Sequence, residues 1–210
     1  MALIIFDYDG VLADTLEDLL QSGQEACNKL GVNHTVTKAD LSNLEVMSFS
    51  SYGRACEVPE HLVDEFVKIC LNFFAEKKSP PAIFTGLCDV IRHLSANSMI
   101  AIVTTNSSQN VNAFLVKHGL DSLIHAVYGV DTPGSKAQKI AMARGRLLEH
   151  REQEPVFMVG DSISDVLAAK EASVTSIAVT WGHQSVEILL RGNPDYVVSS
   201  PDHLIAIVEQ

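Results

Sequence analysis

The chain of 210 residues is 47% hydrophobic and 20% charged, which supplies a full core and excludes a disordered or collagen-like chain. Fifteen Lys and Arg stand against 26 Asp and Glu, and the formal charge of -11 repels nucleic-acid backbones and anionic lipid. No apolar run reaches the ~18–20 residues of a membrane span.

In chain order, a β-rich run over residues 3–6 comes first and an acid follows it. The N-terminal stretch carries no basic region, so a signal peptide is not expected. Residues 15–30 read as a helix closed by Gly31, and a second helix starts with Thr37 as its cap. A loop is expected around 47–52, then a long helix from Pro59 to Lys78, and Pro80-Pro81 ends the segment. From there strand-length runs at 99–103, 124–128, 156–159, 175–179 and 196–198 alternate with helix-period segments. Those fall at 87–96, 108–118, 136–150, 165–172, 185–190 and 202–208. The runs lack polar alternation, as strands buried on both faces do. The rhythm predicts a doubly wound parallel α/β core over residues 1–13 and 82–210, interrupted by an all-α insertion over 14–81.

Ligands of open α/β sheets bind beyond the carboxyl ends of the strands, so the residues that follow each run matter. After the first run come Asp7, Tyr8, Asp9 and Gly10. After the second come Thr104, Thr105 and Asn106, and a later one leads into Gly160, Asp161, Ser162 and Asp165. The loop after residue 128 leads to Lys136. Asp7, Asp9, Asp161 and Asp165 cannot all stay ionised close together without a cation. Hard oxygen ligands suit Mg²⁺, and an anionic substrate of an acidic protein needs such a positive centre. Thr104, the backbone N–H groups after it and the next helix start suit a phosphate, with Lys136 adding charge. Thr104 and Asn106 also fit an ordinary helix cap. The set suits phosphoryl transfer, where positioning and electrostatics carry most of the catalysis.

At these residues the sequence resembles the haloacid dehalogenase (HAD) superfamily, in its phosphatase branch with an inserted helical cap. Residues 7–15 match the first motif, DxDG(T/V)LxD(S/T), and residues 160–165 match GDSxxD. Thr104 falls at the family's Ser/Thr position. The third motif departs from Lys-Pro-x-Pro, so Lys136 is the expected site lysine and Lys139 the alternative. The resemblance implies a Rossmann-like core and a phosphomonoester hydrolase similar to phosphoglycolate-phosphatase-like enzymes. It implies Asp7 as nucleophile and Asp9 as general acid/base. Mg²⁺ would be held by Asp7, the Asp9 backbone carbonyl and Asp161, with Asp165 as a further ligand or a support behind them; Asp165 also fits a structural carboxylate at a helix start. Thr104, Thr105, Asn106 and Lys136 would hold phosphate.

The loop from Met47 to Arg54 takes the place that faces substrate in relatives, which makes Phe49 and Arg54 substrate-binding candidates; local packing accounts for Phe49 as well. Trp181, Gly182 and His183 could touch the site, or could be a packed aromatic and a turn. A sugar phosphomutase of the β-phosphoglucomutase type is the alternative, weakened because Phe49, not Arg, follows Ser48. A catalytically idle relative is a further alternative, against which the full acidic set speaks. Cys27, Cys56, Cys70 and Cys88 form no Cys-x-x-Cys pair and lie in no His ligand pattern, so reduced thiols are expected. His34 and His61 read as surface residues. A cytoplasmic monomer or homodimer acting on a small phosphorylated metabolite, with no nucleic-acid or membrane partner, is the expectation.

Overall fold

The computed structural model describes every residue except Lys78, His150 and Glu152, so the expected helix ends at 78 and 150 lie outside the described residues. Six parallel strands form the sheet: β1 (Ala2–Phe6), β4 (Ser98–Val103), β5 (Ala126–Tyr128), β6 (Val156–Gly160), β7 (Thr175–Val179) and β8 (Tyr196–Val198). Their order is β5-β4-β1-β6-β7-β8, so β1 is central and the chain reverses direction across the sheet between β5 and β6. That reversal puts the strand ends of β1 and β6 side by side, at the switch point where open sheets bind ligands.

Side-chain alternation makes the two layers. Ile4 and Phe6 face one core, where Ile100, Ile102, Phe157 and Val159 join residues of α5 (Leu87–Ser95), α6 (Ser108–His118) and α10 (Asp202–Val208). Leu3 and Ile5 face the other, with Ala101, Val103, Val156 and Met158 against α7 (Lys136–Leu147) and α8 (Ile163–Glu171). The fully buried faces explain why these strands read as unbroken apolar runs. A short α9 (Val186–Arg191) packs Leu189 against Val166 of α8 and Ala178 of β7.

Between β1 and β4 lies the helical insertion. Its members are α1 (Leu16–Leu30), α2 (Ala39–Ser42), α3 (Phe49–Ala55), a 3-10 turn (Glu60–Leu62) and α4 (Val63–Glu76), packed around Cys27, Tyr52, Val63, Phe66 and Cys70. Gly31 ends α1 in the left-handed conformation (φ 70°), as its position suggested. Two expectations change here. The expected loop over 47–52 is helix from Phe49 on, because Ser48 caps α3 by accepting a hydrogen bond from the Ser51 N–H. Thr37 is not the cap of α2: the side chain of Asp40 reaches back to the Thr37 N–H, and helix begins only at Ala39.

Two short strands, absent from the sequence reading, mark where the chain enters and leaves the insertion. β2 (Ala13–Asp14) and β3 (Ala82–Ile83) pair antiparallel. A further seam joins insertion to core: the Ser185 N–H donates to the Ser42 carbonyl at 2.8 Å, Gln184 donates to the Leu44 carbonyl, and Arg191 pairs with Glu45 at 2.8 Å. No described helix is long and apolar enough to cross a membrane.

Candidate active site

Asp7 sits one residue past β1, its N–H bonded to the Val159 carbonyl at 2.9 Å, and Asp161 sits one residue past β6. Asp165 stands in the first turn of α8. It caps that helix reciprocally with Ser162, whose hydroxyl and N–H both reach Asp165 Oδ2, at 2.6 and 3.0 Å. The other oxygen, Oδ1, takes the Lys136 ammonium at 2.5 Å. Structural capping and membership of the site are thus two ends of one carboxylate.

Asp7, Asp161 and Asp165 each bring one oxygen within 4.8 Å of the others, and all are buried. Glycines allow this crowding. A Cβ on Gly10, whose φ is +75°, would fall 2.0 Å from Asp161 Oδ2, and one on Gly160 would fall 2.1 Å from Asp165 Cβ. Lys136, first residue of α7, spans the cluster with Nζ 3.0 Å from Asp7 Oδ2. Lys139, one turn on, is aimed away: its ammonium donates to the Gly129 carbonyl at 2.7 Å. Of the two lysines, the fold brings Lys136 to the carboxylates.

Electrostatics follow from burial. Desolvation pushes the Asp7 carboxyl up to about 7, although Lys136 pulls the other way. Burial and the neighbouring Asp165 raise Asp161 well above the usual carboxylate range. Burial works to lower the Lys136 ammonium, and the facing Asp165 and Asp7 outweigh it, so it is held charged. Three carboxylates against one ammonium leave two negative charges if all ionise, and Asp7 Oδ1 is buried with no hydrogen-bond partner among the described residues. An all-oxygen donor set with that deficit fits a hard divalent cation.

Asp9 stands apart from this group. Its Oδ2 accepts from Asn106 Nδ2 at 3.1 Å, and burial raises its carboxyl against that hydrogen bond. Thr104 is buried at the end of β4, and its hydroxyl accepts the Asn106 N–H at 3.0 Å. Thr105 is exposed beside it. Neither Thr104 nor Asn106 caps α6; Ser107 does, accepting the Asn110 N–H. Asn106 is left to orient Asp9.

Phe49 and Arg54 lie elsewhere. Phe49 packs on Phe74, ring centroids 6.0 Å apart, inside the insertion. The Arg54 guanidinium grips Glu60 with two hydrogen bonds, at 2.9 and 2.6 Å, on an exposed face. No described contact joins either to the carboxylates, because the expected loop is a helix with both side chains already engaged.

His183 carries more than the sequence suggested. It is buried, its N–H donates to Asp161 Oδ2 at 2.7 Å, its Nδ1 lies 3.4 Å from the same oxygen, and Nε2 is 3.2 Å from Thr15 Oγ1. Burial lowers its imidazole to about 4, so it is neutral. Trp181, two residues earlier, donates to the Val11 carbonyl at 3.2 Å. Of the segment that could touch the site, it is His183 that meets Asp161, while Trp181 packs toward Val11.

Residues 4–179 match the family described as haloacid dehalogenase-like hydrolase. Among curated relatives, the phosphoglycolate phosphatase of Synechococcus elongatus is 27% identical over 100% of this chain and 98% of its own length. That of Vibrio cholerae is 30% identical over 98% and 96%. A solved haloacid dehalogenase-like hydrolase from Streptococcus pneumoniae superposes with a TM-score of 0.84 at 23% identity, covering 99% of this chain and 98% of its own. With its motifs converging at one sheet edge and a family match across most of its length, the chain belongs to the haloacid dehalogenase-like hydrolases, on the branch that acts on phosphate esters.

Proposed function

We propose that this protein is a Mg²⁺-dependent phosphatase of a small phosphorylated metabolite, working through an aspartyl-phosphate on Asp7. The observation that carries the reading is the buried cluster of three carboxylates, two of them paired with Lys136. Asp7, Asp161 and Asp165, with the Asp9 backbone carbonyl, would hold the ion. Bound there, Mg²⁺ offsets the cluster's negative charge and that of the phosphate.

Asp7 attacks phosphorus, and the ester oxygen leaves with the proton of Asp9, which therefore must begin protonated. Burial favours that state. Asn106 fixes the Asp9 carboxyl in place during both halves of the reaction. The same carboxylate then takes a proton from the water that hydrolyses the acyl phosphate. Lys136, the Thr104 hydroxyl and the Thr105 N–H cradle the transferring group, while the Asn106 N–H holds the Thr104 oxygen in place. His183 holds Asp161 from behind with its N–H and stays neutral, so it adds no competing charge.

Residues 14–81 act as a cap over the strand ends, swinging on the β2–β3 ladder and closing along the seam of Ser42 and Leu44 with Gln184 and Ser185. A roofed site favours small esters, and the names of the relatives put phosphoglycolate first on a panel. Free thiols support a cytoplasmic setting. Phosphate release across phosphorylated metabolites, with Mg²⁺ or with chelator, tests this. Mg²⁺-dependent turnover of one small ester, abolished by Asp7→Asn, is the expected result, and full activity in chelator overturns the metal assignment.

A further inference from the structure

The spacing of the cysteines gives no ligand pattern, yet the fold of the insertion assembles one. His34 lies between α1 and α2, Asp40 on α2 and Cys56 just past α3, and one donor atom of each falls within 4.8 Å of the others. Cys56 is fully buried, and the His34 and Asp40 side chains are only 18% and 14% exposed, which corrects the expectation of a surface histidine. His34 Nε2 faces Asp40 Oδ1 at 3.2 Å, and the imidazole helps hold the Asp40 carboxyl below its usual range. Asp40 gives Oδ2 to the N–H and hydroxyl of Thr37, at 2.7 and 3.0 Å, which leaves Oδ1 turned to the imidazole.

Nitrogen and oxygen ligands of a tetrahedral zinc ion stand ~2.0–2.2 Å from it, so two of them are about 3.3 Å apart. The His34–Asp40 separation is that distance. The thiol, within 4.8 Å, needs a movement of about 1 Å to join them. The buried Cys27 thiol lies against that of Cys56 and is the nearest donor for a fourth position.

We propose that His34, Asp40 and Cys56 form a second metal site, in the helical insertion, for zinc or a cation of similar softness. Thiolate with imidazole selects such an ion over Mg²⁺, in contrast to the all-carboxylate cluster at the strand ends. On binding, the Cys56 Sγ–H bond breaks, sulfur donates its electron pair to the ion, and the proton goes to solvent. Nothing is oxidised or reduced. Because the thiol must lose its proton to bind, affinity rises with pH. The ion pins the segment between α1 and α2 to the end of α3.

Cobalt titration of the full chain, in a phosphine reductant with excess Mg²⁺, tests the site. A thiolate-to-cobalt charge-transfer band and tetrahedral visible bands are expected to saturate at one equivalent and to be erased by zinc. Because the strand-end cluster holds no cysteine, such a band cannot come from it. Cys56→Ser should abolish the band, and His34→Ala should weaken binding by about tenfold or more. Absence of the band, or its survival in Cys56→Ser, overturns the proposal. Should Cys56→Ser fail to fold, His34→Ala decides, and unchanged cobalt affinity there also overturns it.

Discussion

Lys136→Met removes the ammonium that pairs with Asp7 and Asp165 while keeping a long, unbranched side chain in its place. Nζ lies 3.0 Å from Asp7 and 2.5 Å from Asp165. At an effective dielectric of about 20 these contacts are worth roughly 5–7 kcal/mol each before desolvation is counted. Stripping one partner from a buried ion pair leaves a net loss of ~3–5 kcal/mol. Urea unfolding in chelator at pH 8 should show that loss. It should shrink as the pH is lowered toward 6, because the abandoned carboxylates can take up protons, and shrink again when Mg²⁺ replaces chelator. Turnover should fall ~100- to 1,000-fold even with Mg²⁺, as for loss of a preorganised donor worth ~2.7–4 kcal/mol. If the variant is as stable as the parent in chelator at pH 8, the ammonium does not balance the carboxylates and the electrostatic account is wrong.

Stability without metal should also report on Asp7 directly. Its folded value of about 7 exceeds the ordinary 3.8, so between these the folded state keeps a proton that the unfolded state has lost, and stability falls as pH rises. His183, lowered to about 4 from 6.5, opposes this below pH 6.5 only. Thermal melts in chelator from pH 6.5 to 8 should therefore decline and Mg²⁺ should flatten them, whereas a rise with pH would contradict the assignment. Gly160→Ala places a methyl 2.1 Å from Asp165 Cβ, so a loss of ~1–3 kcal/mol with a matching loss of turnover is expected, and a neutral result would mean the strand end has room. Asp9→Asn should leave Asp7 able to attack esters with good leaving groups and let phosphoenzyme accumulate on rapid quench; wild-type turnover would remove Asp9 from the acid/base role.

Much of the core was legible because its strands are buried on both faces. Runs such as Leu3 to Phe6 announce themselves, and the residues that follow them fall at one edge by topology alone. What stayed hidden depended on contacts. Lys136 and Lys139 are one turn apart on the same helix, and only packing shows that the second spends its charge on the Gly129 carbonyl. Ser, Ser and Gly within residues 49–55 read as loop, although Ser48 supplies a cap and Tyr52 buries itself against Phe66, ring centroids 5.5 Å apart. β2 and β3 are too short to show any periodicity. The contact of His183 with Asp161, and the meeting of Cys56 with His34 and Asp40, depend on how separate elements pack, which no local spacing reveals.

The strand order also bears on synthesis. β1, β4 and β5 form one side of the sheet from the first part of the chain, and the β2–β3 ladder brings β1 and β4 together despite the long excursion between them. That half can collapse while the rest is still on the ribosome, carrying Asp7, Asp9 and Thr104. Asp161 and Asp165 arrive only with β6 and α8, which dock on the still-open edge of β1. On the proposed mechanism, a nascent chain holds Asp7 long before it holds Asp161 and Asp165, and cannot turn over substrate until its second half has folded onto the first.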